Sequence, residues 1–236
     1  MRISVIVPAF NEEDCILACL ESLAAQTHED YEVLVVAGGN DATANIATQY
    51  AKIVTDRKNA GAAAARNQGA AKARGDILAF TDADTIVAKD WLKRIEKAMA
   101  KGAAAVGGVV KPLGGNAIDS AIFKINQDLF YRASAALGFY QLSGNNSAYD
   151  AEAFRAAGGF DETLRMMEDT ELANRIAKRG RVVVDPRIVA WSSTRRFKQN
   201  GYGRVFADYV IEYARFYLLG QKPVTPYFAS AQDAFS

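Results

Sequence analysis

An α/β domain with a mainly parallel central sheet and helices on both faces is the fold this sequence predicts, on three observations. Short apolar runs alternate with stretches of helical periodicity through residues 1–110. The runs are continuously apolar, as strands covered on both faces are. Polar segments that fit neither pattern follow the first, second and fourth runs. Ligands of such sheets bind beyond the carboxyl ends of the strands. The segments to examine are therefore Pro8-Ala9-Phe10-Asn11-Glu12, Gly38-Gly39-Asn40-Asp41 and Asp82-Ala83-Asp84.

Ile3–Val7 is the first strand. Asn11 can cap a helix running to Ala25, with Ile16, Leu17, Leu20 and Leu23 on its buried stripe. Tyr31–Val36 is the second strand. Asp41 or Thr43 can cap the next helix, which carries Ile46, Ala47 and Tyr50 and leads to a short third strand, Lys52–Thr55. Alanine-rich Ala62–Ala73 is strongly helical and Gly75 stops it. Ile77–Thr81 is the fourth strand, Asp90 caps a helix over Trp91–Ala100, and Ala104–Val110 is the fifth strand. The second half is less regular. Helices are expected over Asn116–Leu137, Ala151–Ala157 (ended by Gly158-Gly159), Asp169–Arg179 and Tyr202–Leu219, and strands over Gly144–Tyr149 and Arg181–Val184.

With 236 residues, 50% of them hydrophobic, the chain can bury one large core. Lys and Arg number 28 against 27 Asp and Glu, a net charge of +1, so no field strong enough to attract nucleic acid follows. Cys15 and Cys19 lie one helical turn apart beside Leu20 and Leu23 and read as buried thiols, which suits a reducing compartment. The apolar run at the N-terminus is only a strand long, so it is not read as a signal peptide. No run approaches the roughly 20 apolar residues of a membrane helix. A cytoplasmic protein is expected, free to dock peripherally on a membrane, and Asn145-Asn146-Ser147 is then a chance match to a glycosylation sequon.

Two acidic segments carry chemistry. Asp82 and Asp84, one residue apart just past the buried strand Ile77-Leu78-Ala79-Phe80, can both face a ligand if the chain turns there. Mg²⁺ and Mn²⁺ prefer carboxylate oxygens and complete their shells with substrate phosphates. A departing diphosphate develops charge that such a metal stabilises. The plain alternative is a solvated turn. In Glu168-Asp169-Thr170-Glu171, Asp169 sits at a helix start, where it can take the proton of an attacking hydroxyl as the new bond forms. An ordinary acidic first turn is the alternative.

Together these pieces resemble family 2 glycosyltransferases of the GT-A fold. The matching residues are Val7-Pro8-Ala9-Phe10-Asn11-Glu12, Asn59-Ala60-Gly61, Ala65-Arg66-Asn67-Gln68-Gly69, Ala73-Arg74-Gly75-Asp76, Phe80-Thr81-Asp82-Ala83-Asp84, Gly158-Gly159-Phe160-Asp161-Glu162 and Glu168-Asp169-Thr170-Glu171-Leu172 with Arg175. The resemblance covers residues 1–190 and implies a single domain. Residues 1–110 would form its nucleotide-sugar-binding half, 111–200 its acceptor-binding half and 201–236 a helical extension. It also implies inverting transfer from a nucleotide sugar to a hydroxyl of a glycan or lipid-linked acceptor, assisted by Mg²⁺ or Mn²⁺. Pro8, Ala9 and Glu12 would line the nucleotide pocket, and Arg66 would lie near the base or phosphates. Asp82 would meet ribose or metal, Asp84 would ligate the metal, Asp169 would be the general base and Glu168 would bind acceptor.

Two positions depart from the family pattern. Relatives commonly carry an Asp where this chain has Ala37, so that contact must come from Asn40 or Asp56 if it is made. Many also supply a late histidine to the metal, whereas the one histidine here, His28, precedes the second strand and reads as a surface residue. Where that histidine would fall, Arg195, Arg196 and Lys198 form a basic cluster that clamps the diphosphate, faces a lipid phosphate, or is a solvated loop. The aromatic helix Tyr202–Leu219 packs in the core, forms a seam in a homo-oligomer, or touches a membrane surface.

Two other functions compete. A sugar nucleotidyltransferase would carry a Gly-rich basic loop after the first strand, where Pro8-Ala9-Phe10-Asn11-Glu12 stands. A non-catalytic nucleotide-sugar binder would account for Ala37 and the missing histidine. No Gly-x-Gly-x-x-Gly suits a dinucleotide, and no histidine suits a serine triad.

Overall fold

The computed structural model describes residues 1–56, 61–114, 116–125, 134, 138–164 and 166–221. One eight-stranded sheet runs through them in the order β3-β2-β1-β4-β7-β6-β8-β5. The strands are β1 (Ile3–Phe10), β2 (Tyr31–Gly38), β3 (Lys52–Thr55), β4 (Ile77–Phe80), β5 (Thr85–Val87), β6 (Ala103–Leu113), β7 (Ser147–Asp150) and β8 (Arg181–Ser193). The helices are α1 (Ile16–Ala24), α2 (Thr43–Ala47), α3 (Ala62–Ala70), α4 (Trp91–Met99), α5 (Ala117–Ile125), α6 (Ala151–Ala156), α7 (Glu168–Ala177), α8 (Arg195–Asn200) and α9 (Tyr202–Leu219). This is the expected α/β fold of GT-A type. The ladders β3-β2-β1-β4 and β6-β8 are parallel, while β7 runs antiparallel between β4 and β6, and β5 antiparallel to β8.

Each face of the sheet has its own apolar layer. Ile16, Leu20 and Leu23 of α1 pack with Trp91, Leu92 and Ile95 of α4 on one face. On the other, the alanines of α3 pack with Phe154 of α6, Phe160, and Leu172 and Ile176 of α7. Phe80, Tyr149, Phe154 and Phe160 meet there with ring centroids 5.1–6.0 Å apart, mostly edge to face. Each such pair contributes about 0.5–1.5 kcal/mol beyond its burial.

Several boundaries differ from expectation. β1 continues to Phe10, pairing Pro8 with Val36 and Ala9 with Ala37. Proline is tolerated because β4 pairs only Ile3–Ile6, so the β1 edge facing β4 is open by Pro8 and no ladder bond is lost. Asn11 is therefore not a helix cap. It adopts φ 51°, its side chain accepts the Asn40 N–H at 3.0 Å, and α1 starts only at Ile16, leaving Leu17 exposed. Asp41 accepts the N–H groups of Glu13 and Thr43 and so does close the start of α2, but that helix ends before Tyr50. β8 runs nine residues beyond the expected Val184. Asp185-Pro186-Arg187 reads as a break in sequence, yet the chain bulges against β6 between Gly107 and Val109 and resumes pairing at Val189. Asn116 and Asp119 cap α5 reciprocally at 2.8 and 2.9 Å, and the further reach of that helix to Leu137 lies outside the described residues except at 134.

The fold positions the site through its strand order. β2 and β3 lie to one side of β1 and β4 to the other, so the chain reverses its winding direction between β1 and β4. A crevice opens at such a switch point, beyond the carboxyl ends. Pro8–Glu12 and Asp82–Asp84 emerge there.

Candidate active site

Arg66 joins the two halves of the site. α3 lies close to the sheet because its inward residues are small. A Cβ on Gly69 would stand 2.4 Å from Ile6 Cγ2. That closeness brings Arg66, only 4% exposed, over the end of β4. Its Nη2 donates to Asp82 Oδ1 at 2.9 Å and its Nη1 to Glu168 Oε1 at 2.7 Å, and its Cζ lies 5.7 Å from the Phe160 ring centroid. One cation thus ties the β4 exit to the start of α7. Burial disfavours its charge, but Asp82, Glu168 and Asp169 outweigh burial and hold its pKa above the ordinary arginine value. The solvated helix cation that the sequence left open is not what Arg66 is.

α7 begins at Glu168, one residue earlier than expected, after Met167 in a left-handed turn at φ 65°. Met166 and Met167 are buried and anchor that turn. Asp169 is half-buried: Oδ2 accepts from Gly144 N–H and Oδ1 from Thr170 N–H, both at 2.7 Å. Burial first, and the Glu168 charge second, push its pKa up to about 7, while Arg66 and the two N–H donors act against that rise. A carboxyl poised there is suited to proton transfer near neutral pH.

A second cluster forms across the crevice. The Glu12 carboxylate, 7% exposed, accepts from Arg195 Nη2 at 2.8 Å, and Arg195 Nη1 lies 3.7 Å from Cys15 Sγ. Arg195 opens α8, so the basic segment is helical and not a loop. β8 sets its place, because Ser193 N–H donates to the Asp84 carbonyl at 3.1 Å, beside the β5 ladder. The guanidinium is held above its usual pKa chiefly by Glu12, with Cys15 and Asp84 adding to it. Lys198 does not join Arg195, since its Nζ faces the buried Asp119 carboxylate of α5 at 3.5 Å. The Arg196 side chain lies outside the described residues. Beneath the turn, Cys19 is buried and its Sγ donates to the Asp82 carbonyl at 3.4 Å, whereas Cys15 is half-buried at the crevice.

The remaining expected residues fall into two groups. Asp56 N–H donates to the Ala37 carbonyl at 2.8 Å, and a Cβ on Gly38 would stand 3.3 Å from the Asp56 Cβ. Asp56 therefore sits beside the position where Ala37 departs from the family pattern, with Gln68 Nε2 on its Oδ1 at 2.7 Å. Asn40 is exposed and its backbone N–H is committed to Asn11. Ala9 is buried and Pro8 half-buried at the crevice wall, and Asn59-Ala60 lie outside the described residues. His28 is not a surface residue. It is 9% exposed, with Nε2 3.1 Å from the Asp30 carbonyl and Nδ1 3.5 Å from Glu96, at the amino end of the sheet and away from the site. Asn146, in the sequon, is fully buried: its Nδ2 donates to the carbonyls of Val109 and Ile188 and its Oδ1 accepts from Trp91 Nε1.

Sequence reasoning quoted Phe160 only as part of a matching motif and gave it no role, and it missed Gly144 as part of the site, because Gly144 acts through its backbone and nothing in its local pattern marks it. Among the described residues no three or more His, Cys, Asp or Glu side chains gather as an ion cage. Asp82 and Asp84 still offer hard carboxylate oxygens, partly exposed at the strand exit, so the donor set fits Mg²⁺ or Mn²⁺ completed by phosphate and water. Also among the described residues, no helix is long and apolar enough to cross a membrane. α9 exposes Val210, Ile211 and Leu219 while burying Val205 and Glu212.

Residues 4–155 match the family model described as glycosyl transferase family 2. Glycosyltransferase AglE of Haloferax volcanii is 38% identical over 130 residues, 50% of this chain and 43% of that protein. The chain spans less than half the length of curated relatives such as this one. The mannosyltransferase PcManGT from Pyrobaculum calidifontis, solved with GDP-Man and Mn²⁺, shares the fold with a TM-score of 0.75 at 23% identity, over 96% of this chain and 67% of that one. S. aureus TarS 1–349 in complex with UDP-GlcNAc shares it with a TM-score of 0.67 at 24% identity, over 82% and 58%.

Proposed function

The chain belongs to glycosyl transferase family 2, and from that premise we propose that it moves a sugar from a nucleoside-diphosphate sugar to an acceptor hydroxyl with inversion. The observation that supports this reading is the Arg66 bridge, which ties Asp82 of the Asp82–Asp84 turn to Glu168 beside Asp169. Residues 1–110 form the donor side, with Pro8, Ala9, Glu12 and Asp56 around the nucleoside. Residues 111–200 form the acceptor side, and 201–236 an extension.

Asp84, with Asp82, would hold a Mg²⁺ or Mn²⁺ ion, which supplies positive charge to the diphosphate when bound. Arg195, already held by Glu12, binds the diphosphate oxygens. On the opposite wall the acceptor oxygen attacks the anomeric carbon as the bond to diphosphate breaks, and its proton passes to Asp169. Glu168 accepts a hydrogen bond from the acceptor while Arg66 keeps the two adjacent carboxylates from destabilising each other. The acceptor is a glycan or a lipid-linked sugar. The mannosyltransferase and TarS structures, solved with GDP-Man and UDP-GlcNAc, support a nucleotide-sugar donor without fixing its base.

A thermal-shift screen of UDP-, GDP- and dTDP-sugars with and without Mn²⁺, on wild type and Asp84→Ala, tests the proposal. A donor-specific rise that needs metal in wild type and vanishes in Asp84→Ala is expected, together with loss of metal-dependent donor turnover. Normal metal-dependent turnover in Asp84→Ala refutes the metal assignment.

A further inference from the structure

We propose that Gly144 is a positioning residue for Asp169 and that its backbone, passing close over the Arg66 guanidinium, sets the aim of that carboxylate. The inference rests on Asp169 being the base. Of the two N–H groups on the Asp169 carboxylate, Thr170 N–H belongs to the next residue and travels with α7. Gly144 N–H, at 2.7 Å, comes from the loop before β7 and is the anchor that fixes the carboxylate relative to the sheet. The same loop is fastened to α7 a second time: Tyr140 N–H donates to Asn174 Oδ1, and Asn174 Nδ2 to the Tyr140 carbonyl, both at 3.0 Å. Asp169 and Asn174 are five residues apart, about 7.5 Å along the helix. The segment 140–144 is therefore held along the first turns of α7.

The position requires glycine for space and not for backbone conformation. Gly144 is absent from the glycines with positive φ, so its backbone would accept a side chain. A Cβ there would stand 2.8, 2.9 and 3.1 Å from Arg66 Nη2, Cζ and Nη1. That guanidinium is not a loose side-chain end, being buried and committed to Asp82 and Glu168. One methyl group must push Arg66 off its carboxylates or lift the loop from α7, and either shift moves Asp169. Glycine is required here because another group approaches the backbone.

The experiment compares wild type, Gly144→Ala, Arg66→Lys and the double variant Gly144→Ala/Arg66→Lys. It measures kcat, KM for each substrate, donor Kd by calorimetry and Tm. A displacement of about 1 Å at a reacting group costs roughly 100-fold in rate. Gly144→Ala should lose about that much kcat, with donor Kd and acceptor KM within about threefold of wild type. In the Arg66→Lys background, where the smaller ammonium leaves room, the same alanine should cost less than about threefold further. A well-folded Gly144→Ala with kcat within about fivefold of wild type overturns the proposal. So does a loss of kcat matched by equal losses of donor affinity and Tm, which marks a merely structural role. If Gly144→Ala does not fold, the double variant against Arg66→Lys decides, and an undiminished penalty there overturns it. Asp169→Asn separates this inference from its premise: an active Asp169→Asn removes the base assignment itself, whereas an inactive one beside a normal Gly144→Ala removes only the role of Gly144.

Discussion

Replacing Arg66 by methionine (Arg66→Met) keeps most of the apolar stem and deletes one buried positive charge shared by two carboxylates. Breaking a buried ion pair by removing one partner costs about 3–5 kcal/mol, because the other charge stays behind uncompensated. Here the carboxylates left behind differ in exposure. Asp82 is 34% exposed and rehydrates, whereas Glu168 is 15% exposed and adjoins the half-buried Asp169. The lower part of that range, about 3 kcal/mol, is therefore expected. For a chain of this size it corresponds to a Tm lower by roughly 6–12 °C. The pH dependence has a definite sign. Without Arg66 only the Gly144 and Thr170 N–H donors act against burial and the neighbouring Glu168 charge, so the ionised form of Asp169 is penalised at pH 8 and relieved by protonation as pH falls to 5. Urea unfolding followed by circular dichroism at both pH values should show the deficit largest at pH 8 and shrinking at pH 5. A deficit below about 1 kcal/mol, or one that grows on acidification, would mean that Arg66 is not the counterion of this cluster.

Asp169→Asn should lower kcat by about 10²–10⁴, and the wild-type rate should rise with pH through about 7 as Asp169 ionises. Stability should move the opposite way. The folded-state pKa of Asp169 lies above its unfolded value, so its contribution is present in acid and is lost as pH rises from about 4 through about 7. Asp169→Asn should thus be more stable than wild type at pH 8, with the two converging near pH 4, and parallel stability curves would contradict the burial argument. Arg195→Ala should weaken nucleoside-diphosphate binding about 10- to 100-fold while leaving nucleoside binding nearly intact, and equal losses in calorimetry would place Arg195 off the diphosphate. Asn146→Leu strands the Trp91 N–H and two carbonyls in the core. It should destabilise by about 2–4 kcal/mol in urea unfolding, and a neutral effect would contradict the buried network.

Much of this protein was legible in its sequence because the relevant signals are local. The apolar runs of β1, β2 and β4, the periodicity of α4, and the glycines that end α6 need only neighbouring residues to express them. The carboxylates of Asp82, Asp84 and Asp169 could be picked out for the same reason, since each stands at the junction of a strand or helix with a polar turn. What failed locally did so where a distant partner outweighed propensity. Asn11 would have capped a helix had its side chain not been taken by the Asn40 N–H. Asp185-Pro186-Arg187 would have ended β8 had β6 not offered a ladder beyond it.

Tertiary structure alone decided which charges meet. Arg66 finds Glu168 across 102 residues and Arg195 finds Glu12 across 183. Those pairings depend on strand order and on how closely a helix lies to the sheet, which no local spacing encodes. Lys198, one turn from Arg195, faces Asp119 instead. Gly144 shows the same division most simply. Its identity is visible to any reader of the sequence, but the reason for it emerges only once the chain has brought Arg66 within 2.8 Å of where a Cβ would stand.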